Sequence, residues 1–350
     1  MFYRGMNIMK TMLMGAICAL SLFTNPTFAD QSSSGEEIPV NINNFVRVAT
    51  DFEFGKYESL AGGVNRFLHI SEPTPVDQQT TIRMNRDTLY STAVVDISEG
   101  ATLTLPDSGD RYMTLMVVNQ DHYINEVFSG GGTYKLDMET FETPFVSVWV
   151  RILVDAANPE DIKVVNALQE QVAVEANSSQ PFNMPSYDED GYRSLVATIL
   201  TLGPYTPDAS RMFGARKDVD AVRHFIGTAG GWGGLPEQEA FYVNIDPNLP
   251  VSEYVIEVPK DVPVEAFWSI SLYNAQGFFE PNELDAYAVN SVTGARNEDG
   301  SMTMHLGGCK DGRVNCLPIM EGWNYTVRMY RPGSEILDGS WSFPEAKPVQ

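Results

Sequence analysis

The chain has 350 residues, 43% of them hydrophobic and 20% charged, with 46 acidic residues against 23 basic ones and a formal charge of −23. Domains usually run roughly 100–200 residues, so more than one hydrophobic core is expected. So acidic a surface repels nucleic acid and anionic lipid headgroups over a Debye length, which leaves neutral or cationic partners, or ligands held at local positive spots.

At the start of the chain Arg4 and Lys10 flank the beginning of the apolar run TMLMGAICALSLF, and Thr27-Phe28-Ala29 supplies small residues at the position of a signal-peptidase site. Residues 1–29 are therefore predicted to be a secretory signal, and the mature protein is expected in the periplasm or outside the cell. The run is shorter than the about 20 residues that a membrane helix needs, so no stable membrane insertion is expected. Removing Arg4 and Lys10 leaves 21 basic residues against 46 acidic, about −25 by formal count.

Residues 42–61 place Ile42, Phe45, Val46, Ala49, Phe52, Tyr57, Leu60 and Ala61 at mostly three- and four-residue steps, with Asn43 or Asn44 as cap. That spacing predicts an amphipathic helix. After Gly62-Gly63 and the loop SEPTPVD the pattern turns to β in TLTLP, RYMTLMVV, YINEVF and PFVSVWVRILV, broken by SEG, DSGD and SGGG. These segments predict an antiparallel meander. Asn158-Pro159-Glu160 then opens a helix through about 172, DEDGYRSLVATILTLG reads as a second helix ended by Gly203, and a third starts at Asp218 and runs through VDAVRHFIG. From residue 238 onward EAFYVNID, EYVIEV, AFWSISLY, SMTMHL and WNYTVRMYR read as short strands between turn residues, the spacing of a sandwich or jelly roll. The predicted class is α+β and multidomain: two antiparallel β-sandwich or jelly-roll-like units with a helical layer between them. Its expected divisions are a helix plus β unit over 30–155, a helical segment over 156–235 and a C-terminal sandwich over 236–350.

Several reaction classes find no motif. The nucleophile elbow G-x-S-x-G, the zinc helix H-E-x-x-H, the P-loop and a strand-linked G-x-G-x-x-G are absent from the sequence. GTAGGWGG at 227–234 follows a helix and so does not fit a dinucleotide site, and DEDG at 188–191 lacks the alternating oxygens and terminal Glu of a calcium loop. After the signal, Cys309 and Cys316 remain, and an even pair in an exported chain reads as a disulfide. A zinc site wants four ligands, and only His305 lies nearby, so no metal is expected.

The candidate chemistry lies in MNRDTLYS, residues 84–91, and in the histidines. Arg86 could clamp a carboxylate or oxyanion, Asp87 could orient or ionise a neighbour, and Tyr90 could donate a proton. In the opposing structural reading Arg86 and Asp87 form a buried pair and do no chemistry. His122, beside Asp121 and Tyr123 at the end of an apolar strand, is a candidate general base or acid, and His224, beside Arg223 at a helix end, another.

The strings NNFVRVATDFEF, QQTTIRMNRDTLYSTAVVDIS, RYMTLMVVNQDHY, VRHFIGTAGGWGG, FWSISLYNAQGFFEPN, GGC with NCLP, and GWNYTVRMYRPGSEILDGSWSFPEA occur in this order. From about Asn41 to the C-terminus they resemble bacterial exported proteins built from two adjacent domains of unknown function, twelve-fifty-four followed by twelve-fourteen, in the short variant with the cysteine pair. The resemblance implies an α+β multidomain fold and marks Asn85, Arg86, Asp87, Tyr90, His122, Arg151, His224, Trp232 and Tyr273 as polar or aromatic positions shared with the family. It implies no particular reaction.

Two functions are carried forward. In the first, a hydrolase or lyase acts on a small organic or glycan-like substrate between the units: Arg86 holds an anionic group, His122 moves the proton with Asp87 or Asp121 orienting it, Tyr90 assists, and Trp232 and Tyr273 form a wall. In the second, the same residues, with Asn85 and Arg151, make a noncatalytic carbohydrate- or ligand-binding pocket. Neither calls for a cofactor, and the sequence fixes no oligomeric state.

Overall fold

The computed structural model describes residues 37–79, 82–206 and 208–349, so the signal segment expected over 1–29 lies outside the described residues. Helix α1 (Phe45–Ala61) ends at Gly62, whose φ of 76° closes the C-terminal cap. Neither Asn43 nor Asn44 caps it through a side chain. Instead, the Asn44 and Asn41 side chains accept from the backbone N–H groups of Asn41 and Asn43, tying the incoming turn.

Strands β1 (Leu68–Ile70), β2 (Thr88–Asp96), β3 (Ala101–Leu105), β4 (Met113–Asn119), β5 (Ile124–Ser129) and β6 (Gly132–Leu136) follow, then a single turn α2 (Met138–Phe141) and β7 (Phe145–Leu153). β1-β2-β7-β4-β5 form one antiparallel sheet. Helix α3 (Pro159–Gln169) is capped by the Asn158 side chain, which accepts from the N–H groups of Glu160 and Asp161, as the Asn-Pro-Glu signal predicts. The segment after it corrects the expectation of a helical stretch over 156–235, because β8 (Ala173–Ala176) pairs with β3 in a three-stranded antiparallel sheet β6-β3-β8. Alternate residues Ala93, Val95, Leu115, Val117, Val148 and Val150 of the larger sheet meet Leu103, Leu105, Leu136 and the α3 residue Val165 in one core. Burying each such side chain stabilises by about 1.5–3 kcal/mol, which binds the two sheets and α3 into one half.

α4 (Glu189–Leu200) is capped by Asp188, and α5 (Ala221–Gly231) by Asp220, two residues beyond the start expected at Asp218. Phe45 and Ala49 of α1 pack against Ile199 of α4 and Phe225, Ile226 and Ala229 of α5, so the helical layer recruits the N-terminal helix.

The C-terminal half holds β9 (Ala240–Ile245), β10 (Tyr254–Val258), β11 (Trp268–Tyr273), β12 (Ala288–Asn290), β13 (Met302–Leu306), β14 (Cys316–Leu317), β15 (Asn324–Tyr330), a helical turn α6 (Ser334–Leu337) and β16 (Lys347–Pro348). They form two four-stranded sheets, β14-β13-β10-β16 and β12-β11-β15-β9, antiparallel except for β13 with β14. Ile256, Met304 and Leu306 of the first meet Ile270, Leu272, Tyr325 and Val327 of the second in a second core. Cys309 and Cys316 are joined by a disulfide, their Cα atoms 5.6 Å apart. The class is thus mixed α+β with mostly antiparallel sheets and few helices. No helix among the described residues is long and apolar enough to cross a membrane.

Candidate functional site at the seam between the halves

A strand sends successive side chains to opposite faces, so a sheet with one face in its own core offers the alternate residues elsewhere. On β11, Trp268, Ile270 and Leu272 enter the C-terminal core, which turns Ser269, Ser271 and Tyr273 outward; on β15 the same alternation turns out Thr326, Arg328 and Tyr330. On β2 and β7 the residues opposite the N-terminal core include Tyr90 and Arg151, cross-strand partners in the register. The two outward faces meet: Met116, Val118 and Leu153 share a buried cluster with Ala240, Phe267 and Tyr330.

The MNRD stretch is clamped in this seam. The carbonyl of Met84 accepts from the Tyr273 hydroxyl at 2.7 Å and from Arg328 at 3.3 Å. Asn85 turns its amide NH2 toward Thr88 Oγ1, the Tyr90 hydroxyl and the Tyr330 hydroxyl at 3.1, 3.1 and 3.2 Å, sharing two hydrogens among three acceptors. Its carbonyl oxygen accepts from the N–H of Asp87. Asp87 is buried and accepts from the Ser269 hydroxyl at 2.5 Å. The pair expected between Arg86 and Asp87 is not made. Consecutive residues of the extended chain leading into β2 point to opposite sides, so Asp87 turns inward to Ser269 while Arg86 turns away, donating to the Thr74 carbonyl and lying 5.1 Å from the ring centre of Tyr287. The charge beside Asp87 belongs to Arg328, whose guanidinium donates to Ser271, to the Arg83 carbonyl and to Tyr273, each at 2.8 Å.

The electrostatics separate two neighbouring phenols. Burial by itself would push the Tyr90 hydroxyl up, but the Arg151 charge, 5.5 Å from the Tyr90 ring centre, and donors from Thr88, Asn85 and Arg151 outweigh it, so its pKa falls below the usual tyrosine value. Tyr330, bound to the same Asn85 amide, moves far the other way through burial and the nearby Asp87 charge. Burial also raises Asp87, against the pull of Arg328 and Ser269. Tyr112 and Tyr242, half-buried beside Arg151, are raised chiefly by burial. Tyr90 is enclosed by protein yet retains part of its surface, as do Asn85, Tyr57, Trp149 and Trp232. Trp149 lies 6.3 Å from Tyr90, 4.7 Å from Tyr57 and 6.2 Å from Trp232 between ring centres, an aromatic wall beside the phenol.

The histidines lie elsewhere. His122 is fully buried in the turn between β4 and β5, with its backbone at φ 61°. Its Nε2 accepts from the Gly233 N–H at 2.9 Å, which leaves the proton on Nδ1, 2.8 Å from Thr228 Oγ1. Trp232 stacks on one side of the ring and His224 on the other, each with centres 5.3 Å away. Burial, then the His224 charge, holds its pKa well below the ordinary imidazole value. Asp121 does not orient it, since that carboxylate pairs with Arg47 at 2.6 Å and with Arg216 at 3.6 Å. His224 sits in the first turn of α5 and not at a helix C-terminus, because the glycine-rich tail stays helical through Gly231; it faces the Met212 and Asp121 carbonyls. The glycines of GTAGGWGG serve this packing: Gly233, at φ 75°, returns its N–H to His122, and a Cβ on Gly234 would collide with the Phe213 ring.

Of the residues singled out in sequence, the structure brings together Asn85, Asp87, Tyr90 and Arg151. It sets Arg86 on a surface pocket with Asp285 and Tyr287, and His122, His224 and Trp232 in a second cluster joined to the first where Arg151 donates to the Gly233 carbonyl at 3.0 Å. Tyr273 does not share a wall with Trp232; it packs on Phe279, Tyr287, Val76 and Met84. Arg328, Tyr330, Tyr242, Tyr112 and Ser269 were missed. A readable signal existed for one of them: an arginine inside an apolar strand, as in NYTVRMY, has to find buried partners. No group of three His, Cys, Asp or Glu side chains that could hold a metal occurs among the described residues.

Fold and site define an α+β protein of two mostly antiparallel halves with a charged, phenol-lined seam. Residues 64–141 match the family described as Protein of unknown function (DUF1254), and residues 247–334 match Protein of unknown function (DUF1214). The chain belongs to the proteins that carry these two adjacent domains of unknown function in that order. Asn85, Asp87 and Tyr90 lie in the first match, Arg328 and Tyr330 in the second. The chain is similar to the VPA0106 protein from Vibrio parahaemolyticus, at 21% identity and a TM-score of 0.65, over 88% of this chain and 98% of that one. It is also similar to an uncharacterized protein from Burkholderia cenocepacia, at 14% identity and a TM-score of 0.51, over 88% of this chain and 87% of that one. At these identities the likeness concerns the fold alone. No curated protein matches the chain.

Proposed function

We propose that the protein is exported after loss of residues 1–29, that its halves are two sandwich units, with α3 and β8 counted in the first, and that the seam between them is a small-molecule site. In this reading Tyr90 transfers a proton to or from a bound substrate, in hydrolase- or lyase-type chemistry. The observation that carries it is the pair of phenols bridged by Asn85, with Tyr90 lowered beside Arg151 and Tyr330 raised. Titratable neighbours pushed in opposite directions are how a site holds a base and an acid ready at one pH. Arg86 and His122 are left out of the chemistry, because they lie outside hydrogen-bond reach of Tyr90. The disulfide supports export, as such bonds persist in oxidising compartments.

The aromatic wall of Tyr57, Trp149 and Trp232 supports a second reading, in which the seam binds a glycan-like or other ligand without turnover. A metabolite library screened by thermal shift on the mature protein, followed by mass analysis of each hit after incubation, separates the two. If the first reading holds, hits are converted by wild type and not by Tyr90→Phe, which still shows the shift. Hits that bind and are recovered unchanged favour the second reading.

A further inference from the structure

Resting on that small-molecule seam, the geometry points to its ligand class: we infer that the site takes a small carboxylate with a flat apolar body, its anionic group closing the charge of Arg151 and its body lying on the wall of Trp149, Trp232 and Tyr57.

Arg151 is only 8% exposed, at the centre of a five-stranded sheet. None of the ion pairs among the described residues includes it. Its two terminal nitrogens meet the Gly233 carbonyl at 3.0 Å and, weakly, Met116 Sδ at 3.7 Å, and it also donates toward the Tyr90 hydroxyl. The groups around it are phenols: Tyr90, Tyr242, Tyr112 and Tyr330. The second buried guanidinium, Arg328, has Asp87 nearby, so the seam holds two buried cations and one carboxylate. A buried charge without a counter-ion is strongly destabilising, and a guanidinium is the group whose flat fork fits a carboxylate.

Two anions can complete the seam, the Tyr90 phenolate or a ligand carboxylate, and they compete for one cation. This competition gives a readout that a merely structural arginine would not move. A carboxylate bound at Arg151 cancels the field that lowers Tyr90, so it raises the pH at which Tyr90 ionises, and by reciprocity its own affinity falls as pH rises through that ionisation. The flat body follows from the wall, since Trp149 lies between Tyr90, Tyr57 and Trp232.

The probe is benzoate, with benzyl alcohol as the uncharged counterpart and acetate as the anion without a ring, measured by calorimetry and by tyrosinate absorbance against pH. Benzoate should bind saturably, more tightly than acetate, and shift upward an ionisation step that Tyr90→Phe lacks. Arg151→Gln should weaken benzoate about tenfold or more, the loss of one charge-assisted pair. Should that variant fail to fold, the shift in wild type and the fall of benzoate affinity with rising pH decide alone. Equal binding of benzoate and benzyl alcohol, no saturable binding of benzoate in the millimolar range, or an unmoved tyrosinate step overturns the inference. Its failure is separable from that of the proposed activity: Tyr90-dependent turnover of an uncharged hit keeps the activity and removes the carboxylate, while benzoate binding without Tyr90-dependent turnover of any hit does the reverse.

Discussion

Replacing His122 tests whether its cluster is structural or chemical. His122→Ala removes a fully buried ring, leaves the Gly233 N–H without its 2.9 Å acceptor and Thr228 Oγ1 without its 2.8 Å partner, and opens a gap between Trp232 and His224. A large-to-small core change costs about 2–5 kcal/mol and a buried donor left unpaired about 1–3, and since the two costs overlap where the cavity relaxes around the freed donor, a loss of about 3–5 kcal/mol is expected. At roughly 2–4 °C per kcal/mol, Tm should drop by roughly 6–20 °C in calorimetry. The left-handed backbone at this position adds strain for Ala; His122→Asn tolerates that φ and still lacks the reach to Gly233, so it should fall nearly as far. The same ring makes a pH prediction. Its pKa is depressed in the folded state, so below about 6.5 the unfolded chain takes a proton that the folded chain refuses. The stability that the neutral ring contributes is present above that pH and declines as pH falls toward the folded value, with a slope of up to about 1.4 kcal/mol per unit that His122→Asn should remove. A Tm within a degree or two of wild type, with ligand binding or turnover abolished, would falsify the structural assignment.

Asp87→Ala leaves Arg328 buried beside no carboxylate, and a denaturant midpoint should report a loss of about 3–5 kcal/mol; a loss under about 1 would mean that Ser271, Tyr273 and the Arg83 carbonyl suffice. Arg86→Ala gives up one bond to Thr74 and the contact with Tyr287, about 1–2 kcal/mol together, and should leave the tyrosinate titration of Tyr90 as in wild type; a moved titration would put Arg86 back in the site. Reducing Cys309–Cys316 opens a short loop, for which about 2–3 kcal/mol is expected, read as a lower Tm after alkylation confirms two free thiols; an unchanged Tm refutes that contribution.

Elements with strong local signals were legible in sequence. α3 begins where Asn-Pro-Glu says it should, and β4, β7, β11 and β15 fall on the apolar alternations read as strands. β2 was not among the predicted strands, although it is an inner strand of the larger sheet, pairing with both β1 and β7. Buried along its whole length except at Tyr90, TLYSTAVVD carries Thr, Ser and Asp among its apolar residues and so shows no clean two-residue alternation. β8 was hidden for a different reason: four residues with two exposed become a strand only because β3 offers an open edge. The candidate site was half legible. Tyr90, Asn85, Asp87 and Arg151 were named, but the partner assigned to Asp87 was its sequence neighbour Arg86, whereas the groups that meet Asn85 and Asp87 in the seam, Ser269, Arg328 and Tyr330, stand more than 180 residues away.

By itself the sequence determined what depends on local chemistry: the periodicity that makes this an α+β chain of mostly antiparallel strands, the helix starts at Asn158 and Asp188, and the pairing of its last two cysteines. Only the tertiary structure decided which polar residues share a field. Two strand faces, each left over once the alternate residues had filled a core, were brought together, and in the enclosed space between them the Arg151 charge lowers Tyr90 against the effect of burial while Arg328 supplies the charge near Asp87. Coulomb energy depends on distance through space and on what lies between, and neither is written in the spacing of residues along a chain.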